Sequence, residues 1–417
     1  MRAKPAPVGF FARRLPLKFR PVYLVPVLAA VSMFSIQIPS GLSVPAFARR
    51  EGASCSMCHF RMPEPNEDGH AYIRRGLREE RGGMMPGMKM GGGEETPKSP
   101  AGSTTRRLGD PLPLEWQNYL TVMGNHMLEA RRHERIQFQS GTIDAWIGGP
   151  LDPRWSVLAD VAFDIQEGGV DVEQAYGQYI SSWASRFVSV RFGQLLPLAI
   201  LFNGGGAAMP LSAPVILETP FPSGNPWTPT ALLRGVELGI VHLPRWSAYV
   251  GAGQPQLEGG EGGNRTDLYA SAEVLAGKQG NAVSIFGYHG KLTPAPGEAV
   301  VKFERIALFA NAYAPRAKGI LGLLWGRDRP EDDGSRIGRG AFLLGEFLPT
   351  ERWAGYARYD LARGEIPAGG HETTDGPTLG ISFWAQTQVR LTLEARLLKQ
   401  TGAPRDRTAT AEFLWAF

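Results

Sequence analysis

Apolar and polar residues alternate with a period of two through most of the chain after residue 114. In 407–417 one face carries Ala409, Ala411, Phe413, Trp415 and Phe417, whereas the other carries Thr408, Thr410, Glu412 and Leu414. A period of two indicates β-strands, because successive side chains of a strand point to opposite faces. The pattern predicts sixteen strands, at 115–127, 134–147, 154–166, 170–182, 185–194, 230–242, 245–253, 265–275, 279–290, 301–313, 316–327, 338–348, 352–362, 375–386, 388–400 and 406–417.

The connections between these strands favour an outer-membrane barrel over a soluble sandwich. Those after even-numbered strands are tight, as at 183–184, 243–244 and 314–315, and most of the others are longer. Outer-membrane barrels have short periplasmic turns, long extracellular loops and an even number of antiparallel strands. The face opposite the apolar one carries charges, which predicts a water-filled lumen. The expected fold class is therefore mainly β, an antiparallel transmembrane barrel of about sixteen strands over 114–417.

One predicted connection, 195–229, is much longer than the rest. It begins with the apolar run Leu195–Phe202, which three glycines follow closely. In sixteen-stranded porins the loop at this place folds into the lumen, and we expect the same here. An apolar loop in a polar lumen needs an apolar partner. The chain ends on Phe417, and this ending resembles the recognition signal of bacterial outer-membrane barrels.

The first 46 residues predict a cleaved export signal. They contain six basic residues and no acidic one, with an apolar stretch from about Val22 to Ile38 and a cleavage site after Ala46 or Ala48. Prolines in and beside the stretch disfavour the alternative, a retained membrane helix. The net charge of +4 belongs to this segment, since 38 basic and 40 acidic residues remain without it. The charge is therefore no argument for a nucleic-acid partner.

The only two cysteines lie in the sequence Cys55-Ser56-Met57-Cys58-His59. This C-x-x-C-H spacing is the attachment signature of one covalent haem c. Each thiol forms a thioether with a haem vinyl group, and the next imidazole becomes the proximal ligand of the iron. A thioredoxin-like site lacks the βαβ context that it needs, and a zinc site lacks further ligands. The cofactor-binding residues expected are Cys55, Cys58 and His59, and His59 is the metal ligand.

The sixth ligand of the haem iron stays open at this stage. Asn66 is expected to cap a short helix that runs to about Arg81 and carries His70. An open sixth position is also compatible with the sequence. The candidate ligands are His70, Met62, Met84, Met85, Met88 and Met90.

The domain organisation expected is a signal at 1–46, a cytochrome domain at 47–81, a Gly/Pro/Met-rich linker at 82–113 and the barrel. The cytochrome domain is too small to enclose a haem alone. We therefore expect a small α-helical haem c domain that acts as a plug in the barrel lumen. The apolar start of the 195–229 connection would cover the haem there.

The stretch from Val44 to Gly76 resembles the fused monohaem cytochrome–porins of bacterial outer membranes, whose best-known members are iron oxidases. The likeness lies in the lead-in Val44–Gly52, the haem motif and the residues Pro63, Pro65, Asn66, Gly69 and Gly76. It implies that Cys55 and Cys58 hold the haem and that His59 is the proximal ligand. The chain departs from that family at Asp68 and His70, where a phenylalanine and a basic residue are usual.

The resemblance implies an outer-membrane electron conduit. One electron at a time would pass from an extracellular donor, foremost Fe(II), through the haem to a periplasmic cytochrome or copper protein. The alternatives are another donor, outward transfer, or a diffusion porin plugged by the haem domain. No residue is assigned a catalytic role; as an enzyme the chain would be an iron(II):cytochrome-type oxidoreductase. Acidic residues of predicted loops that attract Fe(II) if they face outward are Glu258, Glu261, Asp328, Glu331, Asp332 and Asp333.

Overall fold

Antiparallel strands that close on themselves make up most of the chain. The computed structural model describes residues 46–47, 58–61, 64–78, 119–131, 136–139, 141–164, 168–183, 186–205, 209–221, 225–243, 245–256, 266–276, 281–293, 299–331, 334–367 and 369–416. Residues 1–45 of the predicted signal peptide and the predicted linker at 82–113 lie outside these residues.

The elements fall into an N-terminal segment, the barrel strands and two short helices in one connection. The N-terminal segment contains β1 (His59–Arg61), β2 (Glu64–Pro65) and α1 (Glu67–Arg74). The helices α2 (Leu198–Phe202) and α3 (Val215–Glu218) lie between β8 and β9. The barrel strands are β3 (Leu120–Arg131), β4 (Gln137–Gln139), β5 (Thr142–Pro150), β6 (Trp155–Asp164), β7 (Val170–Trp183), β8 (Arg186–Leu195), β9 (Leu233–His242), β10 (Trp246–Pro255), β11 (Asp267–Ala276), β12 (Asn281–Leu292), β13 (Val301–Ala314), β14 (Ala317–Pro330), β15 (Arg336–Thr350), β16 (Trp353–Glu365), β17 (His371–Gln386), β18 (Val389–Gln400) and β19 (Asp406–Ala416).

Among the described residues these strands fill sixteen positions of one closed barrel. Consecutive strands pair with each other, and β19 pairs with β3 to complete the ring. Both β4 and β5 pair with β3, so together they occupy one position. The single strand predicted at 134–147 is therefore wrong in detail, because it breaks between Gln139 and Thr142. Gly141 lies at this break, where a Cβ atom would stand 1.3 Å from the Asn125 carbonyl oxygen. The predicted sixteen-stranded antiparallel barrel is confirmed.

The alternation of side chains sorts them between lipid and lumen as the sequence predicts. On β16, Tyr359 and Leu361 point outward, whereas Arg358 and Asp360 are buried inside. Exposed Leu, Ile, Val and aromatic side chains form an apolar outer belt on most of the strands. No helix among the described residues has the length and apolar character needed to cross a bilayer.

The lumen differs from the water-filled channel that the sequence predicts, because protein fills a large part of it. The connection at 196–232 folds inward, as expected, and its described residues pack against the inner wall. Its fully buried Ile216 and Leu217 join wall residues such as Phe309 and Phe342 in one apolar cluster. The inner wall carries the predicted charges together with aromatic side chains, which alternate with the same period. The apolar loop thus finds much of its apolar partner in the barrel itself.

Small wall residues and a buried ion pair seat this inward loop. A Cβ atom at Gly340 would stand 2.4 Å from Ile216, so the close approach of α3 requires glycine there. Arg358 and Asp360 form an ion pair of 2.8 Å inside the barrel. The Asp360 carboxylate accepts the Val215 N–H at 3.2 Å, and the Arg358 guanidinium donates to the Ala213 carbonyl oxygen at 3.1 Å. The wall charges therefore bind the backbone of the loop.

The acidic residues proposed to attract Fe(II) lie in different places in the structure. Asp328 does not face outward: it lies on β14 inside the barrel, paired with Arg305 at 2.7 Å and with Asn225 at 3.0 Å. Its prediction as an outward loop residue is wrong, because β14 extends farther than the sequence suggests. Glu331 is exposed and lies 3.9 Å from Lys302. The other four, Glu258, Glu261, Asp332 and Asp333, lie outside the described residues.

Replacing Leu217 with aspartate is expected to release the inward loop. A charge at this fully buried position among apolar side chains would lose its hydration. The loop should then become accessible to chymotrypsin, which cuts at the leucine and phenylalanine residues that packing protects. Limited proteolysis of the folded protein in detergent measures the effect. Thr219→Asp, at an exposed position two residues away, is the matched control. Equal cleavage of the two variants would contradict the described packing.

Candidate functional site

The second half of the haem motif lies at the start of a short hairpin. Cys58 and His59 are half-buried, and His59 begins β1, where it pairs with Pro65 of β2. The Asn66 N–H donates to the Cys58 carbonyl oxygen at 3.0 Å. Cys55, the first predicted thioether residue, lies outside the described residues. The hairpin therefore returns the chain directly onto Cys58 before α1 begins.

The first turn of α1 packs on the haem motif. The Asn66 side chain caps the helix by accepting the Gly69 N–H at 3.0 Å. A Cβ atom at Gly69 would stand 2.1 Å from the Cys58 carbonyl oxygen, so only glycine permits this approach. The predicted cap at Asn66 is confirmed. The position of His70, the next residue, is thus fixed relative to Cys58 and His59.

The helix ends earlier than the sequence analysis expects, at Arg74 instead of about Arg81. Gly76 adopts a left-handed conformation, and the N–H groups of Gly76 and Leu77 donate to the carbonyl oxygens of Ile73 and Tyr72. These two bonds form a Schellman motif, which ends a helix at a left-handed glycine. Leu77 also has a positive φ, and its side chain packs in an apolar cluster with Tyr72 and Leu158.

His70 is the most distinctive side chain of this segment. It is 5% exposed, and its Nε2 atom has no hydrogen-bond partner. Its ring lies on that of Phe202, with centroids 4.3 Å apart, and the Arg74 guanidinium lies over the same phenylalanine at 4.4 Å. Burial lowers the pKa of His70 well below its usual value, and the charges of Arg74, Lys318 and His59 act in the same direction. The imidazole is therefore neutral near pH 7.

The remaining candidate ligands are the methionines, and Asp68 is the other residue at which the chain departs from the cytochrome–porin family. All five candidate methionines, Met62, Met84, Met85, Met88 and Met90, lie outside the described residues. Asp68 is half-buried, and burial raises the pKa of its carboxyl group while Arg75 opposes the rise. In the described part of the chain, no group of three or more His, Cys, Asp or Glu side chains is arranged to hold a metal ion.

Buried ion pairs fasten the N-terminal segment to the inner wall of the barrel. Lys318 of β14 pairs with Glu64, and its Nζ atom lies 3.9 Å from the Glu346 carboxylate of β15. Arg74 pairs with Glu273 of β11. Both pairs are almost completely buried, and their partners are separated by 254 and 199 residues. Segment 64–78 therefore lies in the lumen, where the sequence analysis expects the plug.

Hydrogen bonds attach the end of this segment to another part of the wall. The Gln178 side chain donates to the Arg74 carbonyl oxygen at 3.1 Å. Arg78 donates to the Asp152 carbonyl oxygen at 2.6 Å and to that of Trp155. Asp152 belongs to the short turn between β5 and β6, and Trp155 is the first residue of β6. The segment thus bridges the lumen at the end of the barrel that carries the short turns.

These anchoring residues were not predicted from the sequence, although the alternation pattern contains part of their signal. Lys318, Glu273 and Glu346 occupy inward positions of their strands, which the period of two identifies as lumen-facing. Alternation alone does not separate a hydrated lumen charge from one that is buried against another segment. That distinction depends on contacts across 199 and 254 residues of sequence.

The residues described fit a c-type haem by their chemistry. Cys58 and His59 provide one thiol and one imidazole in the required order, and a neutral imidazole nitrogen without a partner lies buried beside them. A buried polar atom without a hydrogen bond costs free energy unless a ligand or water satisfies it. An iron ligand at His70 Nε2 meets this need.

Comparison with known proteins identifies the fold. No family model and no curated protein matches the sequence. A loop-deletion variant of OmpT, an outer-membrane protein of Vibrio cholerae, aligns with a TM-score of 0.56 at 13% identity over 72% of this chain and 98% of that one. The anion-selective porin of Comamonas acidovorans gives 0.55 at 12% identity over 72% and 98%. OmpF of Salmonella typhi, in complex with daunomycin, gives 0.51 at 13% identity over 72% and 96%.

These similarities are too low in sequence identity to carry more than the fold, which is that of outer-membrane porins. A closed barrel satisfies all its strand hydrogen bonds internally and exposes an apolar belt, as a bilayer requires. The expected location of the chain in the outer membrane is confirmed.

Removing the Lys318 amine is expected to loosen the N-terminal segment. Lys318→Ala leaves Glu64 and Glu346 buried without their cation, which costs about 3–5 kcal/mol. Trypsin should then cut the folded protein after Arg74, Arg75 or Arg78, and urea unfolding in lipid should show the lost stability. The matched control is Lys302→Ala, which removes an exposed ion pair worth about 1 kcal/mol or less. If both variants resist trypsin equally, the anchoring role is contradicted.

Proposed function

We propose that this chain is an outer-membrane electron conduit with one haem c bound through Cys55, Cys58 and His59. The observation that carries the proposal is the buried imidazole of His70, whose Nε2 atom has no partner and lies on the helix packed against Cys58. When bound, the haem supplies a site that accepts and releases one electron at a time. The fused cytochrome–porins that the sequence resembles provide independent support.

Four side chains would position the cofactor in this proposal. The two cysteines hold it covalently, His59 is the proximal ligand and His70 takes the sixth position. The stacking of His70 on Phe202 limits rotation of the imidazole ring. The pairs of Lys318 with Glu64 and of Arg74 with Glu273 hold the segment in the lumen. The inward loop, whose helix α2 ends at Phe202, keeps water from this side of the segment.

The position of the segment also bears on the direction of transfer. Its contacts lie with residues near the short turns, the end that is periplasmic in outer-membrane barrels. A periplasmic cytochrome or copper protein would exchange electrons with the haem from this end. Fe(II) is the extracellular donor proposed, on the strength of the family resemblance. The inward loop fills part of the lumen between this segment and the extracellular end. An extracellular donor would therefore have to pass this loop to reach the haem.

A diffusion porin plugged by its haem segment is the second candidate, favoured by the likeness of the fold to an anion-selective porin. The two candidates differ in the current that they pass. A conduit needs no open channel, whereas a diffusion porin does. Planar-bilayer recordings separate the candidates: a steady conductance of the size usual for sixteen-stranded porins would favour the porin and contradict the conduit.

The oxidised protein is expected to accept electrons from Fe(II) near neutral pH. The measurement is the growth of the reduced haem bands after Fe(II) is mixed with the purified, haem-loaded protein. The double variant Cys55→Ser, Cys58→Ser, which lacks both thioether bonds, is the control and should retain no covalent haem. If dithionite reduces the haem and Fe(II) does not, iron oxidation is excluded whereas the haem assignment stands.

His70→Ala is expected to remove the sixth ligand and to convert a six-coordinate low-spin spectrum into a high-spin one. Added imidazole should restore the low-spin spectrum, because it binds the iron in the space that the side chain leaves. A purely structural role would not respond to imidazole. His242→Ala is the matched control, since His242 also has a buried Nδ1 atom without a partner but lies on β9 in the barrel wall. An unchanged spectrum in His70→Ala would show that another group binds the iron.

A further inference from the structure

Exposed arginines surround the end of the barrel that carries the short turns. Five of the short connections have one arginine each, either in the connection or at the first residue of the strand that follows it. These are Arg154, Arg186, Arg245, Arg316 and Arg352. The sequence adds Lys278 in the connection between β11 and β12, which lies outside the described residues. We call these five arginines the basic rim. A basic residue therefore recurs at six of the seven short connections in the sequence, the exception being the one at 387–388.

The charge of the basic rim is largely uncompensated. Within the described residues, none of the five guanidinium groups forms an ion pair with a carboxylate. The same turns contain two acidic residues, Asp152 and Glu351. Asp152 is used locally, because its carboxylate accepts the N–H groups of Arg154 and Trp155 at 2.7 and 2.8 Å. Five basic side chains against two acidic ones leave an excess of positive charge, which produces a positive potential over this mouth of the barrel.

The rim surrounds the segment to which the haem is assigned. Arg78 binds backbone carbonyl groups of the turn that carries Arg154, and Lys318, which pairs with Glu64, follows two residues after Arg316. A soluble partner that exchanges electrons with this segment from the periplasm therefore meets the basic rim first. Complementary charge speeds such encounters, and its effect falls as salt rises.

We propose that the basic rim is a docking surface for a soluble periplasmic electron carrier with an acidic face. This inference rests on the proposed function, because it names the chemistry of the partner at the same haem segment. Phosphate groups of the inner-leaflet lipids are the competing occupants. They would meet the outward side of the rim, where Arg186 lies over Trp246 at 5.3 Å. The closeness of the rim to the haem segment favours the protein partner.

The test uses the full-length, haem-loaded protein in nanodiscs and two soluble cytochromes c, one acidic and one basic. Stopped-flow mixing gives the rate constant for electron transfer to each cytochrome at low and high salt, and calorimetry gives the binding of the acidic one. The rim variant combines Arg154→Gln, Arg186→Gln, Arg245→Gln, Arg316→Gln and Arg352→Gln.

The control variant neutralises an equal number of exposed arginines at the opposite end of the barrel. Unchanged haem content and heat-modifiable mobility show that the variants are folded. If the rim variant does not fold, the double variant Arg316→Gln, Arg352→Gln takes its place. The arginines changed to glutamine in the control are Arg131, Arg234, Arg329, Arg363 and Arg405.

We expect the rim variant to lower the rate constant for the acidic cytochrome by about tenfold or more at low salt and to weaken its salt dependence. The rate for the basic cytochrome should not fall, and the control variant should match the wild type. Equal rates and equal binding of the acidic cytochrome by rim variant and wild type would overturn the inference. The inference would also be overturned if the rim variant lost only its binding to anionic phospholipid vesicles. That result would assign the rim to lipid. If the acidic cytochrome binds through the rim but no electron passes, the proposed function fails and the docking surface stands.

Discussion

A charge buried inside the barrel requires a partner, and this requirement organises the lumen. Lys318 meets Glu64, Glu273 meets Arg74, and the pair of Arg358 and Asp360 binds the backbone of the inward loop. An unpaired charge at any of these sites would cost several kcal/mol. That cost is a large part of the free energy of unfolding of a typical domain. These wall charges therefore bind the segments that lie against them. The N-terminal segment and the loop are held in register with the barrel for this reason.

Apolar packing acts together with these charges. The inward loop presents Ile216 and Leu217 to wall aromatics, and Phe202 at the end of α2 contacts His70 and Arg74 of the N-terminal helix. One phenylalanine thus joins the loop to the segment that carries the haem motif. Such a contact excludes water from this part of the lumen. Through this contact the two lumen segments pack against each other.

In the proposed conduit, the candidate site would bind the haem and the basic rim would bind the partner protein. Cys58, His59 and His70 lie in the enclosed part of the molecule, where burial keeps the second imidazole neutral and able to bind iron. The rim arginines lie outside it, exposed to solvent, where they would attract a partner over a distance set by salt. Burial and exposure of basic groups at the same end of the barrel therefore serve ligation and recognition separately.

The sequence by itself determined the barrel, its strand number and the haem motif, because a period of two and a C-x-x-C-H spacing are local patterns that need no distant contact to be recognised. It also determined the cap at Asn66. Only the tertiary structure decided that the helix ends at Gly76, that Asp328 is buried and that the lumen is packed with apolar side chains. It also decided that His70 is buried, since burial of its Nε2 atom depends on Phe202, which is distant in sequence. Alternation states which face a residue is on; what covers that face depends on long-range contacts.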